Sequence, residues 1–286
     1  MIPPFNHFAI LLIITTAISA CSPLKLINAT VTKEGYRTAV DISYGQHPRQ
    51  KLDVHVPTST PVNGDVVIFY YGGRWQSGDK HDYRFAAQGF TSKGYITVIP
   101  DYQLYPHVRF PVFNKDAALA YKWVEKNISQ YKGKPRRLFV AGHSSGAYLA
   151  SMIALNEQYL KNAGANTIPC GTIGIAGPYD FLPFKADDLI AIFTTSEHPS
   201  STQPISFVDG KENPFLILMG KDDSVVKEHN SPNLHHRIIE LGGKSKLIQY
   251  EDVDHSGILI ALSTTFRSIA PVLDDANKFI QRTRCE

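Results

Sequence analysis

Residues 137–155 read RLFVAGHSSGAYLASMIAL. The segment starts with a short apolar, partly β-branched run, which is typical of a buried strand, and ends with a run that is typical of a helix. Between them lies Gly142-His143-Ser144-Ser145-Gly146, a Gly-x-Ser-x-Gly pentapeptide. A strand that turns at once into a helix through such a pentapeptide raises the serine above the sheet, and the turn has no room for side chains at its two glycines. We therefore interpret Ser144 as a catalytic nucleophile.

Predicted strands and helices alternate on both sides of this turn. Residues 36–44 and 51–57 alternate in polarity and flank a turn, which predicts an edge hairpin. Further strands are predicted at 66–71, 95–100, 171–177, 215–219 and 245–250, and helices at 82–93, 111–130, 231–241 and 274–282. This alternation predicts an α/β fold with a mostly parallel central sheet and helices on both faces.

The boundaries suggest one folded domain behind a leader. We assign residues 36–286 to the α/β domain and treat 178–214, which is irregular apart from a short helix near 187–193, as a lid-like insertion. A chain of 286 residues with a net charge of +3 and scattered basic residues does not suggest a nucleic-acid surface. Its cysteines and histidines form no cluster with metal-ligand spacing, so we expect neither a metal nor a cofactor.

The N-terminus has the pattern of an export signal. Residues 8–20 form an apolar run of 13 residues, shorter than a membrane-spanning helix requires, and Cys21 follows it. Residues 18–21, Ile-Ser-Ala-Cys, resemble a bacterial lipobox, which implies a signal peptide over 1–20, a lipid anchor on Cys21 and a polar linker over 21–35. Residues 1–7 lack the usual Lys or Arg, so an ordinary cleaved signal and an uncleaved anchor stay open as alternatives.

Two further cysteines remain if Cys21 carries the lipid. Exported proteins fold in an oxidising compartment, so Cys170 and Cys285 are candidates for a disulfide that would fix the C-terminal helix to the core. Two unpaired thiols are the alternative.

A serine nucleophile needs a base, and the base is usually a histidine oriented by a carboxylate. Asp222 and Asp223 follow the strand at 215–219, and His255 is the only one of eleven histidines in the loop after the last strand. These positions lie in the order Ser, Asp, His and at the carboxyl ends of strands, where functional groups gather in such sheets. The residue pattern itself leaves the choice between Asp222 and Asp223 open.

A pair of glycines follows the strand at 66–71. Gly72 and Gly73 allow a sharp turn that exposes backbone N–H groups, which an oxyanion requires as donors. The alternative is that the two glycines only make a turn.

Together these motifs resemble a known family. The motifs, in chain order, are Gly72-Gly-Arg-Trp75 with Gly78, Asp101-Tyr-x-Leu-Tyr-Pro106, the pentapeptide, Gly177-Pro-Tyr-Asp-Phe181, Gly220-Lys-Asp-Asp223-x-x-Val226 and His255. They resemble the α/β-hydrolase superfamily, in its carboxylesterase branch near the BD-FAE-type feruloyl esterases and kynurenine-formamidase-like proteins.

The resemblance assigns roles to individual residues. It implies Asp223 as the acid of the triad and the backbone N–H groups of Gly73, Arg74 and Ser145 as oxyanion donors. Two positions depart from the pattern: Tyr71 replaces the usual histidine and Gln103 replaces the usual arginine. Both changes affect the support of the loops and the choice of substrate rather than the backbone donors.

The sequence thus predicts a serine carboxylesterase that cleaves small or medium esters through an acyl-enzyme. Tyr148, Phe181 and Phe184 are candidates for an apolar substrate pocket, with an ordinary core role as the alternative. Amide or arylformamide hydrolysis and acyl transfer on the same triad stay open, as does a non-catalytic, ligand-binding protein. The expected partners are a small-molecule ester and a membrane that holds the lipid anchor.

Overall fold

One twisted sheet organises the part of the chain that the computed structural model describes, which is residues 23–32, 34–60, 62–194 and 197–285. Its strands are Tyr36–Ser43 (β1), Lys51–Pro57 (β2), Val66–Tyr70 (β3), Ile96–Pro100 (β4), Leu138–His143 (β5), Gly171–Ile175 (β6), Phe215–Gly220 (β7) and Ser245–Tyr250 (β8). Their order is β1-β2-β4-β3-β5-β6-β7-β8. β2 is antiparallel to both β1 and β4, and every other pair is parallel. The predicted edge hairpin and mostly parallel sheet are confirmed.

Helices cover both faces of the sheet. They are Pro23–Thr30 (α1), Arg84–Ser92 (α2), Val112–Asn127 (α3), Ser145–Leu155 (α4), Glu157–Ala163 (α5), Asp187–Phe193 (α6), Asn230–Glu240 (α7), His255–Ile260 (α8) and Val272–Arg282 (α9). Every residue of β3, β4, β5, β6 and β7 is buried. Because successive side chains in a strand point to opposite faces, this burial requires packed layers on both sides. None of the helices in the described ranges has both the length and the apolar character that crossing a membrane demands.

The N-terminal region differs from the prediction. Instead of a polar linker over 21–35, residues 23–30 form α1, which packs against the main body. Buried Asn28 donates from its side chain to the His81 carbonyl (2.9 Å) and accepts from the Phe85 amide (3.1 Å). Asn28 is more than 50 residues from both partners in sequence. The local composition of residues 21–35 therefore does not reveal these contacts. The predicted signal peptide over 1–20 and Cys21, the predicted site of lipidation, lie outside the described residues.

The described part of the insertion at 178–214 contains short helical elements and packs in part against the main body. Besides α6 it contains 3-10 turns at Pro199–Thr202 and Pro204–Phe207. Ile192 and Phe193 of α6 are buried, and the Phe110 amide donates to the Ile192 carbonyl at 3.0 Å. The insertion therefore forms part of the wall at the carboxyl edge of the sheet.

A disulfide joins Cys170 and Cys285 across 115 positions of sequence. Cys170 directly precedes β6, so the bridge lies at the amino edge of the sheet, opposite Ser144. The Arg137 guanidinium adds an ion pair to Asp65 (2.7 Å) and a hydrogen bond to the Thr283 carbonyl (2.8 Å). Together these contacts fix the end of α9 to the strands.

Candidate active site

Ser144 lies at the sharp turn between β5 and α4. Its backbone has φ +55° and ψ −125°, a conformation that costs energy for any residue with a side chain. A Cβ on Gly142 would lie 2.3 Å from the Gly146 carbonyl, and a Cβ on Gly146 would lie 2.0 Å from the Tyr70 carbonyl oxygen. The Ser144 amide donates to the Ile175 carbonyl at 2.9 Å, which ties the turn to the neighbouring strand. Only glycine therefore fits at positions 142 and 146, two residues before and two residues after this serine.

His255 and Asp223 meet at the same edge of the sheet. His255 Nδ1 donates to Asp223 Oδ2 at 2.8 Å, and Asp223 Oδ1 accepts from the amides of Val225 (2.8 Å) and Val226 (2.9 Å). Burial acts to raise the pKa of Asp223, but the hydrogen bonds from His255 and the two amides outweigh it and bring the pKa below its ordinary value. An ionised carboxylate on Nδ1–H leaves Nε2 of His255 free to accept a proton. His255 begins α8 rather than lying in a loop.

The neighbouring Asp222 is exposed, and Asp223 is the carboxylate that reaches His255. The residue pattern does not distinguish Asp222 from Asp223, because both lie in the short turn after β7. The backbone amides that follow Asp223 separate them, since they hold its side chain toward His255.

His143 has a partner that the sequence reasoning missed. Its side chain is buried, and Nε2–H donates to the backbone carbonyl of His255 at 2.9 Å. The two rings lie 4.6 Å apart between centroids. Burial, and then the proximity of His255, lower the pKa of His143 to about 3, so the ring is neutral and can donate from one nitrogen only. The residue beside the nucleophile thus holds the backbone of the histidine, although it lies 112 positions away.

The loop after β3 closes against the nucleophile. A Cβ on Gly72 would lie 3.1 Å from Ser144 Cβ, and a Cβ on Gly73, whose φ is +125°, would lie 2.0 Å from the Ser77 carbonyl oxygen. Arg74 adopts a positive φ of 56°. Within the described ranges, the amides of Gly73 and Arg74 donate to no other group. The Ser145 amide opens α4 and has no acceptor within that helix. These three N–H groups are therefore free to receive a negatively charged oxygen.

Tyr71, which stands where a histidine is usual, supports this loop. Its ring stacks between Tyr83 (centroids 5.0 Å apart) and Tyr102 (4.8 Å). Its hydroxyl donates to Asp101 Oδ1 at 2.6 Å and accepts from the Arg49 guanidinium at 2.8 Å. Tyr71 is therefore a buried, hydrogen-bonded anchor behind the glycines.

Gln103, the second departure, is also bonded. Its backbone N–H donates to Asp116 Oδ2 at 2.8 Å, and its side-chain amide donates to Asp116 Oδ1 at 3.3 Å. The following loop is thus fixed to α3 without an arginine.

An ion pair connects the loop after β3 to the insertion. The Arg74 guanidinium binds both carboxylate oxygens of Asp188 on α6, one of them at 2.8 Å, and the Gln76 amide donates to the same carboxylate at 2.8 Å. The hydrogen bond from Arg74 is the largest cause that lowers the pKa of Asp188 to about 2. Two side chains of the loop after β3 therefore bind one carboxylate of the insertion.

A cavity of about 550 Å³ opens beside Ser144. Apolar side chains form much of its wall, with contributions from the loop after β3, the insertion and the loop after β7; they include Trp75, Phe181, Leu182, Leu189, Val225 and Val226. A cavity of this size and character suits a small organic ligand.

Of the three predicted pocket residues, Phe181 lines the cavity and two do not. Tyr148 is fully buried, and its ring contacts that of Trp75 at 5.1 Å between centroids. Phe184 packs on Phe181 (5.7 Å) and Phe193 (5.4 Å). Tyr148 and Phe184 are not among the residues that line the cavity, and their part in substrate binding stays a prediction.

One group of metal-type ligands occurs in the described ranges. Ligand atoms of Asp41, Asp53 and His81 lie within 4.8 Å of one another. The buried Lys80 ammonium lies 2.7 Å from Asp41 Oδ1 and 3.1 Å from Asp53 Oδ1, so a cation of the chain's own already satisfies these carboxylates.

With this geometry established, comparison with known proteins identifies the relatives. The sequence model of the BD-FAE family matches residues 52–238. The chain belongs to the BD-FAE family. The matched range of this BD-FAE protein contains Ser144, Asp223 and the loop at 72–78, and ends before His255.

Curated relatives of this BD-FAE protein are similar at a distance. It is 26% identical over 243 residues to a probable isoprenylcysteine alpha-carbonyl methylesterase of Arabidopsis thaliana, covering 77% of this chain and 51% of the relative. It is 28% identical over 222 residues to the esterase LipC of Mycobacterium tuberculosis, covering 69% and 54%. It is 26% identical over 246 residues to a kynurenine formamidase of Salmo salar, covering 81% and 82%. The chain thus spans about half the length of the first two relatives.

Solved structures agree on the fold. A truncated carbohydrate esterase from gut microbiota superimposes with a TM-score of 0.77 at 18% identity, covering 87% of this chain and 97% of the other. Esterase B from Lactobacillus rhamnosis gives 0.76 at 18% identity, covering 91% and 92%. The predicted α/β-hydrolase fold is confirmed.

Proposed function

We propose that this protein is a serine hydrolase of carboxylic esters. The observation that carries the proposal is the Asp223–His255 hydrogen bond at the same sheet edge as Ser144, a serine held in a strained turn. Esterases among the curated relatives support it.

The mechanism follows from the hydrogen bonds. Nε2 of His255 takes the proton of the Ser144 hydroxyl as its oxygen attacks the ester carbonyl. Asp223, kept ionised by the bonds described above, stabilises the imidazolium and fixes its tautomer. The oxyanion accepts from the N–H groups of Ser145 and of Gly73 or Arg74, where one such donor is worth about 3 kcal/mol of barrier. His255 then protonates the leaving alkoxide, and water hydrolyses the acyl-enzyme with the same base.

Arylformamide hydrolysis is the second candidate. The kynurenine formamidase of Salmo salar is matched over 82% of its own length, more than either esterase above. An amide substrate would use the same groups and differ only in its leaving amine, so the two reactions are separated by substrate rather than by residues.

The test replaces the nucleophile. We expect Ser144→Ala to abolish hydrolysis of p-nitrophenyl butyrate and labelling by a fluorophosphonate probe while circular dichroism stays unchanged. Full turnover by this variant would refute the proposal. Absence of both probe labelling and turnover of esters, arylformamides and acyl donors by the natural protein would instead favour a ligand-binding role.

We propose further that the protein is exported and anchored to a membrane by a lipid on Cys21. The apolar run before Cys21 and a disulfide between the two other cysteines support this location. Mass spectrometry of the N-terminal peptide tests it. An unmodified cysteine in protein recovered from the producing bacterium would contradict the anchor.

A further inference from the structure

The ionisable residues that line the cavity beside Ser144 are all basic. Four of the residues that line it have basic side chains, namely Arg74, Lys185, Lys227 and His229. Among the lining residues in the described part of the chain, none is Asp or Glu. The whole protein is close to neutral, with 29 Lys and Arg against 26 Asp and Glu, so this asymmetry is local.

Two of these basic groups already have partners. The Arg74 guanidinium is neutralised by Asp188. His229 Nε2 lies 2.8 Å from the Asp180 carbonyl, which occupies that nitrogen. Neither side chain therefore needs a ligand to satisfy it.

The two ammonium groups are different. Lys185 and Lys227 make no ion pair or hydrogen bond through their side chains with any residue in the described ranges. Lys185 belongs to the insertion just before α6, and Lys227 lies four positions after Asp223 in the loop that follows β7. Both lysines are exposed, so two separate segments each place a lysine without a side-chain partner in the described ranges at the rim of one largely apolar cavity.

We propose that the preferred ester carries a negatively charged group on its acyl or its alcohol part, and that Lys185 and Lys227 bind this group. The apolar remainder packs on Trp75, Phe181 and Leu189, and the ester carbonyl lies at Ser144. Positive charges at the mouth of a cleft with low-dielectric walls also attract an anion before it binds, which raises the association rate. This inference rests on the proposed esterase function and narrows its substrate class.

The experiment compares esters that differ only in charge. One pair is 4-carboxyphenyl butyrate with its neutral carboxamide, and the other is monomethyl adipate with its terminal carboxamide, so the alcohol and acyl sides are tested separately. We expect the natural protein to prefer the anion in at least one pair by about tenfold in kcat/KM, which two ion pairs near a surface can supply. NaCl at about 0.5 M should shrink that preference, because it shortens the screening length.

Matched variants assign the preference to the two lysines. We expect Lys185→Gln with Lys227→Gln to reduce the ratio of anionic to neutral kcat/KM to near one. The control, Lys244→Gln with Lys246→Gln, removes the same charge from the opposite edge of the sheet and should leave the ratio unchanged. Equal hydrolysis of both members by the natural protein, or a preference that survives the loss of Lys185 and Lys227, would overturn the inference.

A failure of the esterase proposal would look different. In that case no member of either pair is hydrolysed above the rate of Ser144→Ala protein. Calorimetric titration of Ser144→Ala with each ester then still measures whether the cavity prefers the anion, and equal or absent binding of both members overturns the inference without any turnover.

Discussion

The hydrogen bond from His143 to the His255 carbonyl makes a prediction about catalysis by a residue that touches no substrate. The variant His143→Phe keeps a ring of similar shape next to His255, where the present rings are 4.6 Å apart, and removes only the N–H donor. His143 does not line the cavity, so substrate binding should be unaffected. Loss of the hydrogen bond should instead disturb the position of His255, the proposed base.

The expected size follows from the contact. A buried hydrogen bond of 2.9 Å between neutral groups contributes about 1–1.5 kcal/mol. If that energy holds His255 in its productive position, its loss lowers kcat roughly fivefold to tenfold. We expect KM to change by less than about twofold, because no group that binds substrate has moved.

The assay measures kcat and KM for p-nitrophenyl butyrate together with the rate of fluorophosphonate labelling, which reports activation of Ser144 without turnover. His143→Gln keeps an N–H donor and should recover most of the lost rate, whereas a purely packing role would favour Phe over Gln. An unchanged kcat in the Phe variant, accompanied only by a lower melting temperature, would refute the reasoning.

Three other predictions follow from the fold. Asp188→Ala should lower kcat several-fold with less than about 1 kcal/mol of lost stability, because the exposed ion pair with Arg74 matters through the loop it positions rather than through its own energy; steady-state kinetics and thermal melts measure both. Cys285→Ser should cost about 2–5 kcal/mol in urea unfolding, because the disulfide closes a long loop in the unfolded chain. Burial lowers the pKa of two histidines, His55 and His143, from 6.5 to about 3. As the pH falls, these histidines are therefore protonated in the unfolded state before they are protonated in the folded state. Stability present above pH 6.5 should therefore decline toward acid by up to about 1.4 kcal/mol per pH unit for each of the two groups, and His55→Gln should make the decline shallower.

Each of these has its own control. Asp187→Ala removes a neighbouring exposed carboxylate that has no part in the pair with Arg74, and an equal loss of kcat there would show that the charge of α6, not the ion pair, is what matters. Identical unfolding of the Cys285→Ser and natural proteins under oxidising conditions would contradict the stabilising role of the disulfide. Stability that is constant between pH 7 and pH 4.5 would contradict the assignment of two neutral buried histidines.

The sequence carried most of the fold because its signals are local. Buried strands appear as apolar runs, and the pentapeptide appears as glycines on either side of Ser144. His255 is predictable from sequence because chain order and strand ends restrict where a base can lie. The choice of Asp223 needed the family resemblance, since the amides that orient its side chain are a property of the folded loop.

What the sequence did not reveal depends on distant contacts. The bond between His143 and His255 and the pair between Arg74 and Asp188 each span more than 100 positions. Tyr148 is an aromatic residue near the nucleophile in sequence, and only the folded structure shows that it is fully buried and absent from the cavity lining. The sequence of helix α1 predicts a polar linker, because the groups that stabilise the helix lie on another segment of the chain.

The ion pair between Arg74 and Asp188 also matters for protein engineering. The insertion at 178–214 forms one wall of the cavity and is the natural segment to exchange when a different specificity is wanted. Because Asp188 lies in that insertion and Arg74 lies in the loop against the nucleophile, an exchanged insertion also changes a partner of that loop. A chimera that omits a carboxylate at this position would confound altered specificity with impaired chemistry. Libraries built on this scaffold should therefore hold Asp188 constant or vary it together with Arg74.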